Sequence, residues 1–292
     1  MRALIRGIIE KYGSPKLDGQ SEGTISFSGQ DPHSKQPVAI RILPRLLGSD
    51  PQIAARFRQL ALTVRQLNHP NVASVREVGE NAGLPFIVTR TIEKARPLAE
   101  RLDQPWAVDA AADVVMQVGQ ALEHAYRKGL VHGSLSPDSI VVQDDGRAIV
   151  TDFGWTQLKD LVGAGVREGV SPYLAPERAA GKPADARADV YSMGSVLYGM
   201  LTHRAPQVVK GELLPPSRFN PDVPPSMDEV VTKALAPQPE DRYPDARSFL
   251  TALGAVSLVP AVKKVRQLPS RVRCPQCGTQ NQTGRFCRKC GT

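Results

Sequence analysis

Two stretches of this 292-residue chain carry side chains at spacings that could do chemistry. Near the end stand Cys274-Pro-Gln-Cys277-Gly and, after eight further residues, Cys287-Arg-Lys-Cys290-Gly; together they hold every cysteine of the chain. Each C-x-x-C pair makes a tight knuckle presenting two thiolates, and Gly278 and Gly291 permit the positive-φ turn behind it. Four soft ligands in this pattern favour tetrahedral zinc in a closed, structural site; disulfides are the alternative, for which nothing indicates an oxidising compartment. The second stretch is residues 131–154, VHGSLSPDSIVVQDDGRAIVTDFG, a loop between apolar strand-like runs that ends in Asp152-Phe153-Gly154. A carboxylate such as Asp152 can hold a divalent cation, or it can cap backbone amides in a turn. The hydroxyls of Ser134, Ser136 and Ser139 are neither bases near neutral pH nor strong cation ligands.

The order of residues from His132 to Gly154 resembles the catalytic loop and metal-binding segment of eukaryotic-type Ser/Thr protein kinases, H-R-D-L-K-P-x-N followed by D-F-G. His132, Leu135, Pro137 and Ile140 keep the shape of that loop. Ser134 stands where the family has the Asp that accepts the substrate proton, a group typically contributing about 10² to 10⁴ in rate. Ser136 replaces the Lys that steadies the phosphoryl group, and Ser139 replaces the Asn that holds a second magnesium. By the same resemblance Asp152 would hold the remaining magnesium, whereas as a plain turn it would cap amides while Phe153 fills the core. His132 and Phe153 would join the apolar stack between the lobes, with Val64 as a third member.

The elements needed to position such a loop are legible on both sides. Strand-like runs occupy Thr24 to Ser28, Val38 to Leu43, Val72 to Val78 and Pro85 to Thr89, and LDGQSEG at 17–23 reads as a plain hairpin that keeps Gly19 and Gly23 without G-x-G-x-x-G spacing. VAIRIL resembles the family strand whose Lys grips the ATP phosphates, with Arg41 at the Lys position and Ala39 beside it in the nucleotide slot. Arg keeps the charge but presents a planar fork instead of a compact ammonium. Leu60 falls where the regulatory helix should offer a Glu, so Arg41 must turn to solvent or find another acid. Thr89, Arg90 and Thr91 would form the adenine hinge. Ala107 to Lys128 has apolar residues at helical spacing and runs directly into the loop.

Farther on, GVSPYLAPE at 169–177 resembles G-T-P-x-Y-x-A-P-E, with Val170 for Thr, and Arg242 in PEDRY stands where the family places the ion-pair partner of Glu177. DVYSMGSVLYGMLT at 189–202 resembles the central helix of the large lobe, whose Asp189 would hold backbone amides of the catalytic loop. The resemblance covers residues 12–254 and implies an α+β fold of two lobes, a β-rich lobe at 12–90 and a helical lobe at 91–254. A basic linker at 255–270 and a short zinc ribbon at 271–292 would follow.

Charge divides along the same boundary. The formal net charge is +8, from 37 basic and 29 acidic residues, and the last 32 residues contain 8 Lys or Arg and no Asp or Glu. The remaining 29 basic residues match the 29 acidic ones, so the body gives no electrostatic reason for nucleic-acid or membrane binding. The tail could meet an acidic protein, anionic lipid or nucleic acid; its sole aromatic, Phe286, makes nucleic acid the lesser reading. No apolar run is long enough to span a bilayer, and the N-terminus lacks a signal-peptide pattern, so a cytoplasmic location is expected. The expectation is a pseudokinase that binds or regulates another protein, with structural zinc and only weak affinity for ATP and magnesium. The alternatives are a weak or atypical ATP-dependent Ser/Thr kinase and a nucleotide sensor without turnover.

Overall fold

A computed structural model describes residues 7–256, apart from 9, 14–15, 22–23, 43–50, 82, 93–94, 104–105, 162–170, 207 and 210–211, together with 272–273 and 280–281. The chain divides into two compact units, Met1–Leu258 and Val259–Thr292.

The first unit begins with a five-stranded antiparallel sheet of order β1-β2-β3-β5-β4: β1 (Lys16–Ser21), β2 (Thr24–Gln30), β3 (Pro37–Ile42), β4 (Val75–Asn81) and β5 (Leu84–Arg90). Period-two alternation on β3 buries Val38, Ile40 and Ile42 while Ala39 and Arg41 share the opposite, half-exposed face. Pairing with β5 sets Ala39 opposite Thr89 and Arg41 opposite Ile87. Two boundaries differ from the sequence expectation. β1 is a strand in its own right, irregular between Leu17 and Gly19, because hairpin pairing with β2 overrides its poor strand composition. Val72 lies outside β4, forming instead a parallel bridge to Val150 in the following lobe.

Helix α1 (Pro51–Arg65) connects β3 to β4 and buries Phe57 and Val64. The helical lobe contains α2 (Val108–Tyr126), α3 (Trp155–Leu161), α4 (Pro176–Ala179), α5 (Ala186–Thr202), α6 (Pro225–Ala234) and α7 (Ala246–Gly254). The loop from His132 runs through the Pro137–Ser139 turn into β7, the middle strand of a small sheet of order β6-β7-β8 (Ala95–Pro97, Ile140–Gln143, Ala148–Val150), and farther along β9 (Val208–Val209) pairs antiparallel with β10 (Glu212–Leu213). Helix α5 is capped by Asp185, whose side chain accepts from Arg187 N, and nearly all its residues are buried, as expected of an element enclosed by other helices. Gly119 marks the tight approach of α2 to α7: a Cβ there would stand 2.5 Å from Leu250 Cδ2. One apolar core runs from Val64 through α2, the catalytic loop, α5 and α7.

In the second unit, β11 (Val272–Arg273) and β12 (Gln280–Asn281) pair antiparallel, Val272 opposite Asn281 and Arg273 opposite Gln280. Cys274, Cys277, Cys287 and Cys290, like Gly23, lie outside the described residues. No helix among the described residues is long and apolar enough to cross a membrane.

Candidate active-site cleft

The loop from His132 is held from beneath by one buried carboxylate. Asp189, in the first turn of α5, accepts from His132 N at 2.8 Å and Gly133 N at 2.7 Å. Burial pushes the Asp189 carboxyl above the usual range, against the opposing pull of His132 and the two amides. His132 is 1% exposed; its Nε2 lies 3.0 Å from Thr151 O, and its ring meets Phe153 edge-on with centroids 5.1 Å apart. Gly133 has φ +72°, and a Cβ there would stand 2.9 Å from Ala184 Cβ and 3.0 Å from Thr156 Cγ2. An arginine, as in the family pattern, would press on both Ala184 and Thr156 and would strain the backbone at this φ. Val64 of α1 packs directly against Gly154, so His132, Phe153 and Val64 belong to one continuous core.

The polar positions are all engaged by neighbours within the chain. Ser134 Oγ lies 2.8 Å from Thr156 Oγ1. Ser139, buried, accepts from Ser136 N at 3.0 Å through Oγ and donates to Ser136 O at 2.9 Å, locking the turn at Pro137–Ser139. Asp152 sits at φ +66°, a conformation that costs a non-glycine residue strain. Its carboxylate forms an ion pair with Arg41, which thus neither turns to solvent nor stays unpaired. Asp152 is 14% exposed at its side chain, whereas Arg41 is 36% exposed. Leu60 packs with Phe57, Ile87, Trp155 and Leu158, replacing an expected ion pair by an apolar cluster.

Helix α3 supplies the residues that sequence reasoning missed. It starts directly after Asp152-Phe153-Gly154, with Trp155 N accepted by Asp152 O at 3.1 Å and Leu158 N by Gly154 O at 3.0 Å. Trp155, Thr156 and Leu158 are buried. Gln157 donates to Val131 O, and Asp160 lies 3.3 Å from the guanidinium of Arg178, which also donates to Lys182 O. The available signal was the W-T-x-L pattern after the glycine, which places Trp155 and Leu158 one helical turn apart.

A small cavity adjoins the Arg41–Asp152 pair. Arg41, Val75, Ile87, Thr89, Asp152 and Trp155 surround a cavity of about 10 Å³, room for about one water. The two positions that the resemblance assigns to magnesium are engaged within the chain, Asp152 with Arg41 and Ser139 with the Ser136 backbone, and Trp155 forms one wall of the cavity. A larger cavity of about 500 Å³ lies elsewhere, between the segment after β5 (Arg90, Thr91), the loop of Asn68 and His69, and the β7–β8 turn (Gln143, Arg147). Of the hinge residues, Thr89 therefore faces the cleft cavity, whereas Arg90 and Thr91 line the larger one.

Away from the cleft, Arg242 binds Glu177 through both guanidinium ends, at 2.7 and 2.8 Å, and also donates to Ala236 O, Arg187 O and Pro237 O. Its guanidinium carbon stands 4.9 Å from the centre of the Tyr191 ring. Burial works to raise the Glu177 carboxyl, but the Arg242 hydrogen bonds and charge outweigh it and hold the group below its usual range.

Comparison with known proteins agrees with this geometry. The family described as protein kinase domain matches residues 19–252. The chain is 35% identical over 231 residues to serine/threonine-protein kinase PknB of Mycolicibacterium smegmatis, covering 72% of this chain and 37% of that one. It is 33% identical over 236 residues to serine/threonine-protein kinase PknA of Mycobacterium tuberculosis, covering 75% of this chain and 55% of that one. The chain thus spans less than two thirds of the length of these relatives. The crystal structure of the Mycobacterium tuberculosis PknI kinase domain superposes with a TM-score of 0.64 at 25% identity, covering 83% of this chain and 96% of that one. With the Asp189 anchor, the Glu177–Arg242 pair and the family match extending over both lobes, the chain belongs to the protein kinase family.

Proposed function

We propose that the body is a protein kinase domain that does not transfer phosphate and acts by binding another protein. The observation that carries this reading is the pairing of Ser134 with Thr156: a hydroxyl occupies the base position, and its hydrogen bond is made within the chain. A hydroxyl lacks the basicity to take a proton from a substrate alcohol, and no carboxylate of the catalytic loop replaces it there. Asp138, the loop's remaining acid, is exposed.

The tail would be a docking module built on structural zinc held by Cys274, Cys277, Cys287 and Cys290. Its support is the four-thiolate donor set and the antiparallel pair of β11 and β12, which brackets Cys274 and Cys277 in sequence. Metal analysis of the full chain should find one zinc, lost in Cys274→Ser or Cys290→Ser.

A second reading, an atypical ATP-dependent Ser/Thr kinase, is favoured by the relatives named as serine/threonine-protein kinases and by the retained Asp152 and basic Arg41. A γ-phosphate transfer assay on generic substrates and on the chain itself separates the two. No transfer above trace is expected, and robust transfer abolished by Asp152→Ala would replace the first reading by the second.

A further inference from the structure

Strand β5 sends its last residues to the two faces of the small-lobe sheet. Thr89 turns toward the Arg41–Asp152 pair, and Arg90 turns away into the cavity of about 500 Å³, whose wall also includes the segment between α1 and β4 and the β7–β8 turn. None of Arg41, Ser134 and Asp152 lines that cavity. Two arginines stand in its wall, Arg90 and Arg147, and no Asp or Glu does. Arg147 is aimed by a carbonyl instead of being neutralised by an acid: its Nε and Nη2 donate to Pro70 O at 3.2 and 2.6 Å. The carbonyl orients the planar fork and leaves its positive charge whole. Arg90 is exposed and has no ion pair among the described residues. The acids nearest to Arg147 in sequence, Asp144 and Asp145, are exposed on the turn outside the cavity wall, where Asp145 Oδ1 accepts from Arg147 N at 3.0 Å. His69 also lines the cavity, but burial keeps its ring neutral at pH 7, so the two arginines supply the charge.

Resting on the reading of the body as a protein-binding domain, we propose that this cavity is a docking groove for an acidic, extended segment of the partner protein. Its carboxylates would meet Arg90 and Arg147, and a small aliphatic side chain would lie against Val72, Ala73 and Ile149, which form the apolar part of the wall and are each less than a tenth exposed. A guanidinium fork accepts a carboxylate through two parallel hydrogen bonds, which fixes orientation as well as charge. Gln36, Asn68 and Ser74 are exposed along the rim, so the cavity is open to solvent as a passing peptide requires, and their polar groups suit peptide backbone. The same two charges oppose a basic segment. Because basic and acidic residues balance over the first 260 positions, the positive wall is a local feature and not part of a general surplus.

The basic tail would also attract acidic peptides, and the test subtracts it. A display library of random octapeptides is selected on the immobilised full chain, then counter-selected on the full chain carrying Arg90→Glu and Arg147→Glu, in which the tail is unaltered. Surviving peptides should carry Asp or Glu beside an aliphatic residue. A synthesised survivor should lose at least about tenfold in affinity on Arg90→Glu, lose less on Arg90→Lys, and bind more weakly as salt rises. If the variant with both replacements does not fold, Arg90→Glu alone, at an exposed side chain, serves for the counter-selection. The groove is overturned if no peptide survives counter-selection, if the survivors lack acidic residues, or if a survivor binds Arg90→Glu as tightly as the unaltered chain. Failure of the proposed function reads differently: phosphate transfer by the chain would refute the non-transferring reading whatever the peptides do, and a failed selection removes the groove without changing the transfer result.

Discussion

The two Arg–carboxylate pairs of this molecule have the same chemistry and opposite settings. Arg242 and Glu177 meet in the large lobe with the arginine side chain fully buried, and every remaining edge of the guanidinium finds a backbone carbonyl. Arg41 and Asp152 meet in the cleft, with the arginine side chain 36% exposed and, among the described residues, one acid beside it. A pair with all its donors satisfied is architecture, because neither member can leave without stranding a buried charge. A pair at the edge of a cleft, lightly held, can exchange one partner for a ligand or a solvent shell. The family pattern is kept at the first site and altered at the second, so conservation of fold and alteration of chemistry are spatially separated.

The sharpest break in that comparison is Arg242→Ala, which leaves Glu177 without its bidentate partner and should cost about 3–5 kcal/mol in a urea titration. A loss below about 1 kcal/mol would show that the buried pair is no more important than a surface one. Asp189→Ala comes next. It strips the acceptor from two amides, His132 N and Gly133 N, and should cost about 1–3 kcal/mol with faster hydrogen exchange at both. Arg41→Ala is expected to cost about 1 kcal/mol or less, and what it costs should shrink in high salt. If Arg41→Ala proves as damaging as Arg242→Ala, the cleft pair is structural and the contrast between the two sites collapses.

How far the sequence revealed these features depended on whether they follow from local pattern or from meeting in space. The two-lobed fold was legible because Val38, Ile40 and Ile42 alternate, α2 repeats its apolar residues at helical spacing, and several motifs recur in the family's order. Strand ends were less so: Val72 belongs to an apolar run continuous with β4, yet its partner is Val150, which no local pattern could name. In the cleft, the altered residues could be named one at a time from the motif. That Arg41 would choose Asp152 could not, since both residues were assigned to an absent ligand. Thr156 and Trp155 were missed for the same reason. Their importance comes from a helix of only seven residues, stabilised by tertiary packing against Leu60 and Phe57 and too short to stand on propensity.

A final, smaller difference between regions can be read in acid. His69, following α1, and His124, on α2, stack with ring centroids 5.2 Å apart. Burial holds the His69 ring below its ordinary value, reinforced by His124 and Arg127; burial likewise depresses His124, reinforced by Arg127 and Lys128. Both imidazoles are therefore neutral in the fold at pH 7. Below about 6.5 the unfolded chain takes up protons that these rings resist, so their contribution to stability is complete above that pH and declines as pH falls toward their lowered folded values. Glu177 is also depressed, but from 4.5, so its contribution is complete above that value and declines only in stronger acid. Thermal melts from pH 7.5 down to about 3 should show a gradual loss between about pH 6.5 and 5 in the unaltered chain, flattened in His124→Phe, while the steeper loss below pH 4.5 persists in that variant. If His124→Phe leaves the upper part of the profile unchanged, the stacked histidines do not set the stability of the junction between α1 and α2. The two acid windows would then collapse into the one belonging to the carboxylates.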